Sequence, residues 1–210
     1  MEGSSLSETN NGSNLACNDI FQTLIDHHSR LGYFLPDAET AKEGKSAILP
    51  FQRPSFDQMY MAIAEIVALR STCLRGRVGA VIAKDTRIVS IGYNGAPSKI
   101  GQCDQYGCII DSEKGGCIRT IHAEQNAIAY ASRIGIPIEN ATIYVTVSPC
   151  IDCAKLIIAS GIKRLVYLQE YRNSYALEYL ELSGLEVEQL NYGLSAIYND
   201  YCGQEASECQ

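Results

Sequence analysis

Two short strings constrain this chain more than anything else in it: His122-Ala123-Glu124 and Pro149-Cys150-Ile151-Asp152-Cys153. Together they supply one imidazole, two thiols and one separate carboxylate. Ser148-Pro149 predicts a helix start, with Ser148 as N-cap and Pro149 at the first helical position. Cys150 and Cys153 then lie on one face of the first turns. The electropositive helix N-terminus lowers thiol pKa and favours metal-binding thiolate. Two thiolates and a neutral imidazole make zinc three-coordinate and leave a fourth position for water. Bound zinc brings the pKa of that water down to about 7. His122 and Glu124 would not share a face inside a regular helix. They converge only where a helix begins, so both belong at the mouth of a helix over about 122–134. His122 is then the ligand and Glu124 the proton carrier beside the metal.

With 210 residues, the chain is long enough for one cored domain and an appendage. Its apolar share of 46% and charged share of 20% are those of an ordinary soluble protein. No apolar run nears the roughly 20 residues that a spanning helix needs. The opening MEGSSLSETNNGSN lacks the basic and apolar regions of a secretory signal. A cytoplasmic location and no membrane partner are therefore expected. The net charge of −7 argues against a protein that coats nucleic acid. Of the nine cysteines, 103, 108, 117, 150 and 153 fall in patterned regions. In a reducing compartment such clusters lean towards metal binding or catalysis. Cys-x-x-Cys taken alone also fits a redox or buried pair. Histidine is scarce, and His122 is the one in a patterned region.

Residues 1–52 read as an N-terminal extension. It is expected to be disordered over about 1–16, where Ser, Asn and Gly dominate, with a short helix expected over Asp19–Leu31. Residues 53–191 form the domain proper, and 192–210 a C-terminal tail. Within the domain, apolar spacing predicts a helix over Phe56–Ser71. The runs Gly79–Lys84 and Arg87–Asn94 predict a hairpin, and 96–121 a loop. Then come a helix to Ile134, a strand over Ala141–Val147, a helix over Pro149–Ser160 and a strand over Arg164–Gln169. A helix over Ser174–Ser183 and a strand over Glu186–Leu190 close the domain. Gly135, Gly161 and Gly184 are the expected helix stops. Strand–helix–strand alternation implies right-handed crossovers and a parallel half-sheet. The predicted fold is α/β: a mixed five-stranded sheet with helices on both faces.

The joint H-x-E…P-C-x-x-C pattern is that of zinc-dependent nucleobase deaminases. With Cys73-Leu-Arg75, Gly92-Tyr-Asn-Gly95, Cys103-Asp-Gln-Tyr-Gly-Cys108, Cys117 and Arg119-Thr-Ile-His-Ala-Glu-Gln-Asn-Ala127, the chain resembles the cytidine deaminase superfamily. Its nearer likeness is to the deoxycytidylate (dCMP) deaminase branch, over about residues 54–190. The resemblance implies a three-layer α/β/α fold and hydrolysis of dCMP to dUMP and ammonia, which supplies dUMP for thymidylate synthesis. Zinc-bound hydroxide would attack C4 of cytosine while Glu124 moves protons. The resemblance also implies that Asn94 binds the substrate nucleoside; in Tyr-Asn-Gly it equally suits a left-handed turn. Phosphate needs cations, and guanidinium forks suit it. Arg75, Arg77, Lys99, Arg119 and Arg172 are candidates, with Arg75 first because it lies in a matching motif. Cys103, Cys108 and Cys117, with or without Cys73, either hold a second, structural zinc or remain free thiols. A homohexamer activated by dCTP and inhibited by dTTP is further implied. Rival readings are a tRNA adenosine, riboflavin-pathway or cytidine deaminase, or a catalytically dead zinc scaffold.

Overall fold

The computed structural model describes residues 54–113, 115–171 and 175–196. The expectations for 1–52, for Arg172 and for the tail beyond 196 lie outside them.

Ser55 opens the first helix. Its hydroxyl accepts from the Gln58 N–H at 3.2 Å, while Gln58 Oε1 accepts from the Ser55 N–H at 2.8 Å. This reciprocal box satisfies two donors that a helix start leaves open. The helix, α1 (Phe56–Ala68), stops short of the expected Ser71. The N–H groups of Leu69, Arg70 and Ser71 turn to carbonyls three residues back, which tightens the last turn.

The hairpin forms as expected from β1 (Gly79–Lys84) and β2 (Arg87–Tyr93). Asp85 and Thr86 between them take φ of 50° and 61°, the paired left-handed conformation whose twist matches a two-residue hairpin. The loop over 96–121 contains a short helix that patterning did not reveal, α2 (Cys103–Tyr106). Its four residues are too few to show a period. Next come α3 (Ala123–Ile134), β3 (Thr142–Val147), α4 (Ile151–Ala159), β4 (Arg164–Gln169), α5 (Tyr175–Leu182) and β5 (Glu186–Gln189). Gly135 caps α3 in the left-handed region at φ 72°.

The five strands run in the order β2-β1-β3-β4-β5. β1 is antiparallel to both β2 and β3, whereas β3, β4 and β5 are parallel. Alternation along the strands divides the core. Ala80, Ile82, Ile143, Val145 and Leu165 point to the face covered by α3, α4 and α5. Val81, Ala83, Tyr144 and Val166 point to the face covered by α1. The layers are therefore α/β/α. Each fully buried Ile or Leu contributes about 1.5–3 kcal/mol, and Ile82, Ile143, Ile157, Leu165 and Leu180 are all fully buried. Among the described residues no helix is long and apolar enough to cross a membrane.

Candidate active site

His122 is the N-cap of α3, with extended backbone at φ −77°, ψ 160°, and Glu124 lies in the first turn. An N-cap stands outside the helical path. That is how two residues with the wrong spacing for one helix face reach one cavity. Cys150 repeats the arrangement on α4, as N-cap at φ −74°, ψ 169°, with Cys153 in the first turn. The cap expected at Ser148 does not form. Ser148 Oγ instead accepts from the Tyr171 N–H at 2.8 Å, and its own N–H donates to the Gln169 carbonyl at 2.8 Å. Ser148 and Pro149 thus belong to the turn after β3, tied to the end of β4, and the helix begins later.

His122 Nδ1 lies 3.4 Å from Cys150 Sγ and 3.3 Å from Cys153 Sγ. The three ligand atoms all fall within 4.8 Å of one another. Around tetrahedral zinc, with Zn–S of about 2.3 Å and Zn–N of about 2.0–2.1 Å, nitrogen and sulfur ligands stand about 3.5 Å apart. Donor set and spacing both fit that ion. The hydrogen bond from Cys153, joined by that from His122, holds the Cys150 thiol down at about 3. Cys153 is pushed up, first by that bond to Cys150 and then by burial. The bond with Cys150 raises His122 above the usual imidazole value. Glu124 is outside the ligand cluster and only 3% exposed. Burial raises its carboxyl above the usual range.

Strand β2 fixes the height of α3. A Cβ on Gly92 would lie 2.2 Å from the Ala123 carbonyl oxygen and 2.5 Å from Ala127 N. Only glycine lets the first turn sit this low on the sheet. Ser90 Oγ donates to the Ala127 carbonyl at 2.7 Å, and Asn126 Nδ2 donates to the Tyr93 carbonyl at 2.9 Å. Gln125 Oε1 accepts from the His122 N–H at 3.0 Å.

These groups open into a cavity of about 340 Å³. His122, Glu124 and Cys150 line it, with Val147, Ser148 and Tyr171 from the carboxyl ends of β3 and β4. Open α/β sheets place ligands at those ends. Segments 73–78 and 115–120 supply the remaining lining with Asn94.

Asn94 is 8% exposed, and its backbone is not left-handed, so it is no turn residue of that kind. Its Oδ1 accepts from the Val78 N–H and its Nδ2 donates to the Gly76 carbonyl, each at 2.8 Å. The side chain therefore braces 76–78 while it lines the cavity. Arg75 also lines the cavity, and its Nη1 donates to the Gly115 carbonyl at 2.7 Å. Arg77, Lys99 and Arg119 are not in the lining, and Arg119 Nη1 donates to the Gly101 carbonyl at 2.8 Å.

Cys103, Cys108 and Cys117 form a second cluster, with sulfurs within 4.8 Å of one another. The Cys103 and Cys117 sulfurs are 3.9 Å apart, against about 3.8 Å for two thiolates on tetrahedral zinc at about 2.3 Å each. Burial opposes ionisation of Cys117. The Arg119 N–H, the Thr120 hydroxyl and the Ile109 N–H outweigh it and hold the thiol at about 7.

Tyr171, Ser148, Thr120 and the Gly115-Gly116 backbone also line the cavity, a place the sequence did not predict for them. The carboxyl-end rule for parallel strands offered a signal for Ser148 and Tyr171. Two adjacent glycines before Cys117 offered one for bare backbone.

Residues 54–169 match the family described as the cytidine and deoxycytidylate deaminase zinc-binding region. The chain is 45% identical over 140 residues to ComE operon protein 2 of Bacillus subtilis, covering 66% of this chain and 73% of that protein. It is 36% identical over 187 residues to the deoxycytidylate deaminase of Enterobacteria phage T4, covering 69% and 97%. A crystal structure of dCMP deaminase from the cyanophage S-TIM5, in complex with dCMP and dUMP, superposes with a TM-score of 0.58 at 33% identity. That match covers 66% of this chain and 99% of the other.

Proposed function

This chain belongs to the cytidine and deoxycytidylate deaminase family and is a deaminase, and we propose that it hydrolyses dCMP to dUMP and ammonia. The observation that carries this reading is one cavity lined by His122, Cys150, Glu124 and Arg75. His122, Cys150 and Cys153 would hold zinc, which supplies an acidified water as nucleophile near neutral pH. Glu124 is the proton carrier. Ionised, it takes a proton from the attacking water and delivers it to N3 of the cytosine ring; it then takes the remaining proton from the new C4 hydroxyl and hands it to the amine, which leaves as ammonia while the C4 carbonyl forms. A pKa raised by burial suits a group that must both accept and donate. Asn94 and Arg75 are the substrate-binding residues, for the nucleoside and the 5′-phosphate. The named relatives that act on deoxycytidylate support the substrate assignment.

The Cys103–Cys108–Cys117 cluster takes a second, structural zinc; its sulfur spacing and the N–H groups aimed at Cys117 support this. Activation by dCTP, inhibition by dTTP and a homohexamer rest on the likeness of Gly92-Tyr-Asn-Gly95 and its surroundings to the deoxycytidylate branch. The product dUMP feeds thymidylate synthesis. Thiolate ligands need a reducing compartment, which supports the cytoplasm. Residues 53–191 are proposed as the catalytic domain, with 1–52 and 192–210 as flanking segments. Ammonia release from dCMP, with and without dCTP, tests the substrate and its regulation together. No turnover of dCMP would remove the first, and no response to dCTP the second.

A further inference from the structure

The second thiol cluster sits against the substrate cavity rather than away from it. Cys117 itself lines the cavity, beside Gly115 and Gly116. Among the described residues, Arg75 is the one Lys or Arg in that lining. Arg75 is exposed, and its guanidinium is anchored on the Gly115 carbonyl at 2.7 Å. An exposed arginine without an anchor samples many rotamers and gives an incoming anion little preorganised charge. The position of the Gly115 carbonyl therefore sets where the charge stands.

Gly115 is held by a short excursion of the chain. Its N–H donates to the Asp111 carbonyl, and the Asp111 N–H donates to the Gly116 carbonyl, each at 2.8 Å. Gly115 takes φ +65°, which disfavours other residues there. The Ile118 N–H donates to the Ile109 carbonyl at 2.9 Å, and Ile110 bridges Cys117. Cys108 and Cys117 stand at the two feet of this excursion, and Cys103 joins them from α2. A metal on the three sulfurs clamps both feet. His122, Cys150 and Cys153 are carried by other elements, the first turns of α3 and α4.

We propose that a metal held by Cys103, Cys108 and Cys117 sets affinity for the substrate's phosphate, by fixing the Gly115 carbonyl that positions Arg75. The cluster is thus a positioning element for one end of the substrate. This rests on the deoxycytidylate reading above and deepens it. Its signature is selective: losing the clamp weakens ligands that carry the 5′-phosphate and spares those that do not.

The test is equilibrium binding of dUMP and of deoxyuridine by calorimetry, with zinc per chain counted alongside. Wild type is expected to hold two zincs and to bind dUMP more tightly than deoxyuridine. Cys108→Ser is expected to drop to one zinc and to lose about tenfold in dUMP affinity, the scale of a charge-assisted phosphate contact, while deoxyuridine binding is unchanged. Arg75→Ala, at an exposed position, is expected to show the same selective loss with both zincs kept. The double variant is expected to be no weaker than Arg75→Ala alone, because the two act in one chain of contacts. If the serine variant does not fold, wild-type protein stripped to one zinc supplies the comparison, with turnover showing that the remaining zinc is the catalytic one. One zinc in wild type, equal weakening of dUMP and deoxyuridine, additive losses, or unchanged dUMP affinity in either single variant would overturn the proposal. Failure of the substrate reading looks different: wild type then releases no ammonia from dCMP.

Discussion

Arg164 grips Asp57 with both ends of its guanidinium, Nη1 to Oδ1 at 2.9 Å and Nη2 to Oδ2 at 2.8 Å. The pair ties β4 to the first turn of α1 on the face of the sheet opposite α3 and α4. Tyr144, on β3 between them, donates its hydroxyl to Asp57 Oδ1 at 2.6 Å. One carboxylate thus joins the helix to two strands.

The Arg164 bond, helped by Tyr144, holds the Asp57 carboxyl below its ordinary 3.8. A carboxyl lowered in the folded state stabilises the fold above its unfolded pKa. That stabilisation fades as pH falls through the lower folded value. The side chains of Arg164 and Asp57 are 22% and 29% exposed, so solvent screens the pair only in part. Asp57→Asn is expected to cost about 2 kcal/mol at pH 7, the scale of a bond to a charged group. The cost should shrink as pH drops below about 4. Urea midpoints of both proteins at pH 7 and pH 3 check this; a gap that stays constant contradicts it.

Glu124→Gln keeps the shape of the side chain and removes its proton chemistry. Zinc content is expected to be unchanged, since Glu124 stands outside the ligand cluster. Turnover is expected to fall by about 10³-fold or more, in the range for loss of a general acid–base group. Metal analysis with an ammonia assay reads both. Retained turnover would assign the proton transfers elsewhere.

Zinc and protons would compete for the three proposed ligands, His122, Cys150 and Cys153. Cys150, at about 3, is a thiolate through the neutral range. His122 is raised by its bond to Cys150, and Cys153 is raised as well, so these two carry the competing protons. Apparent zinc affinity should therefore fall as pH is lowered from 8 to about 6, more steeply than an unperturbed imidazole allows. Competition with a chromogenic chelator across that range measures the slope. A flat profile contradicts the assigned ligands.

Gly92→Ala places a methyl carbon against the Ala123 carbonyl, backbone that cannot swing away. The first turn of α3 must rise, carrying His122 and Glu124 with it. Overpacking of this kind costs about 1–3 kcal/mol, and activity is expected to fall further than stability explains. Ser90→Ala removes one bond to the same helix and should cost about 1 kcal/mol with near-normal turnover. Thermal melts beside kcat values separate the two; equal effects on activity would contradict the positioning role of Gly92.

Much of this architecture was legible from local chemistry. Strand alternation and the glycine stops carry information within a few residues of where they act. Hence the hairpin, the crossovers and Gly135 matched expectation closely. The convergence of His122 and Glu124 was readable because their spacing is wrong for any place but a helix mouth. The start of α4 was misread because Ser148 has a long-range partner, the N–H of Tyr171, and a cap preference cannot register that. Arg75 was singled out for its motif, but its anchor on Gly115 lies 40 residues away in the chain. Asn94 was read either as a turn or as a ligand to substrate. Its amide braces Gly76 and Val78, a tertiary role that no local pattern announces.

The most direct test is a substrate comparison on the zinc-loaded protein. Ammonia release is followed from dCMP, deoxycytidine and cytidine at equal concentrations, with zinc per chain measured on the same sample. Turnover of dCMP to dUMP is expected, with a clear preference over both nucleosides, and that turnover is expected to be lost when His122 or Cys150 is replaced and zinc is lost with it. Equal or faster release from deoxycytidine, or full activity in a protein stripped of zinc, would contradict this expectation.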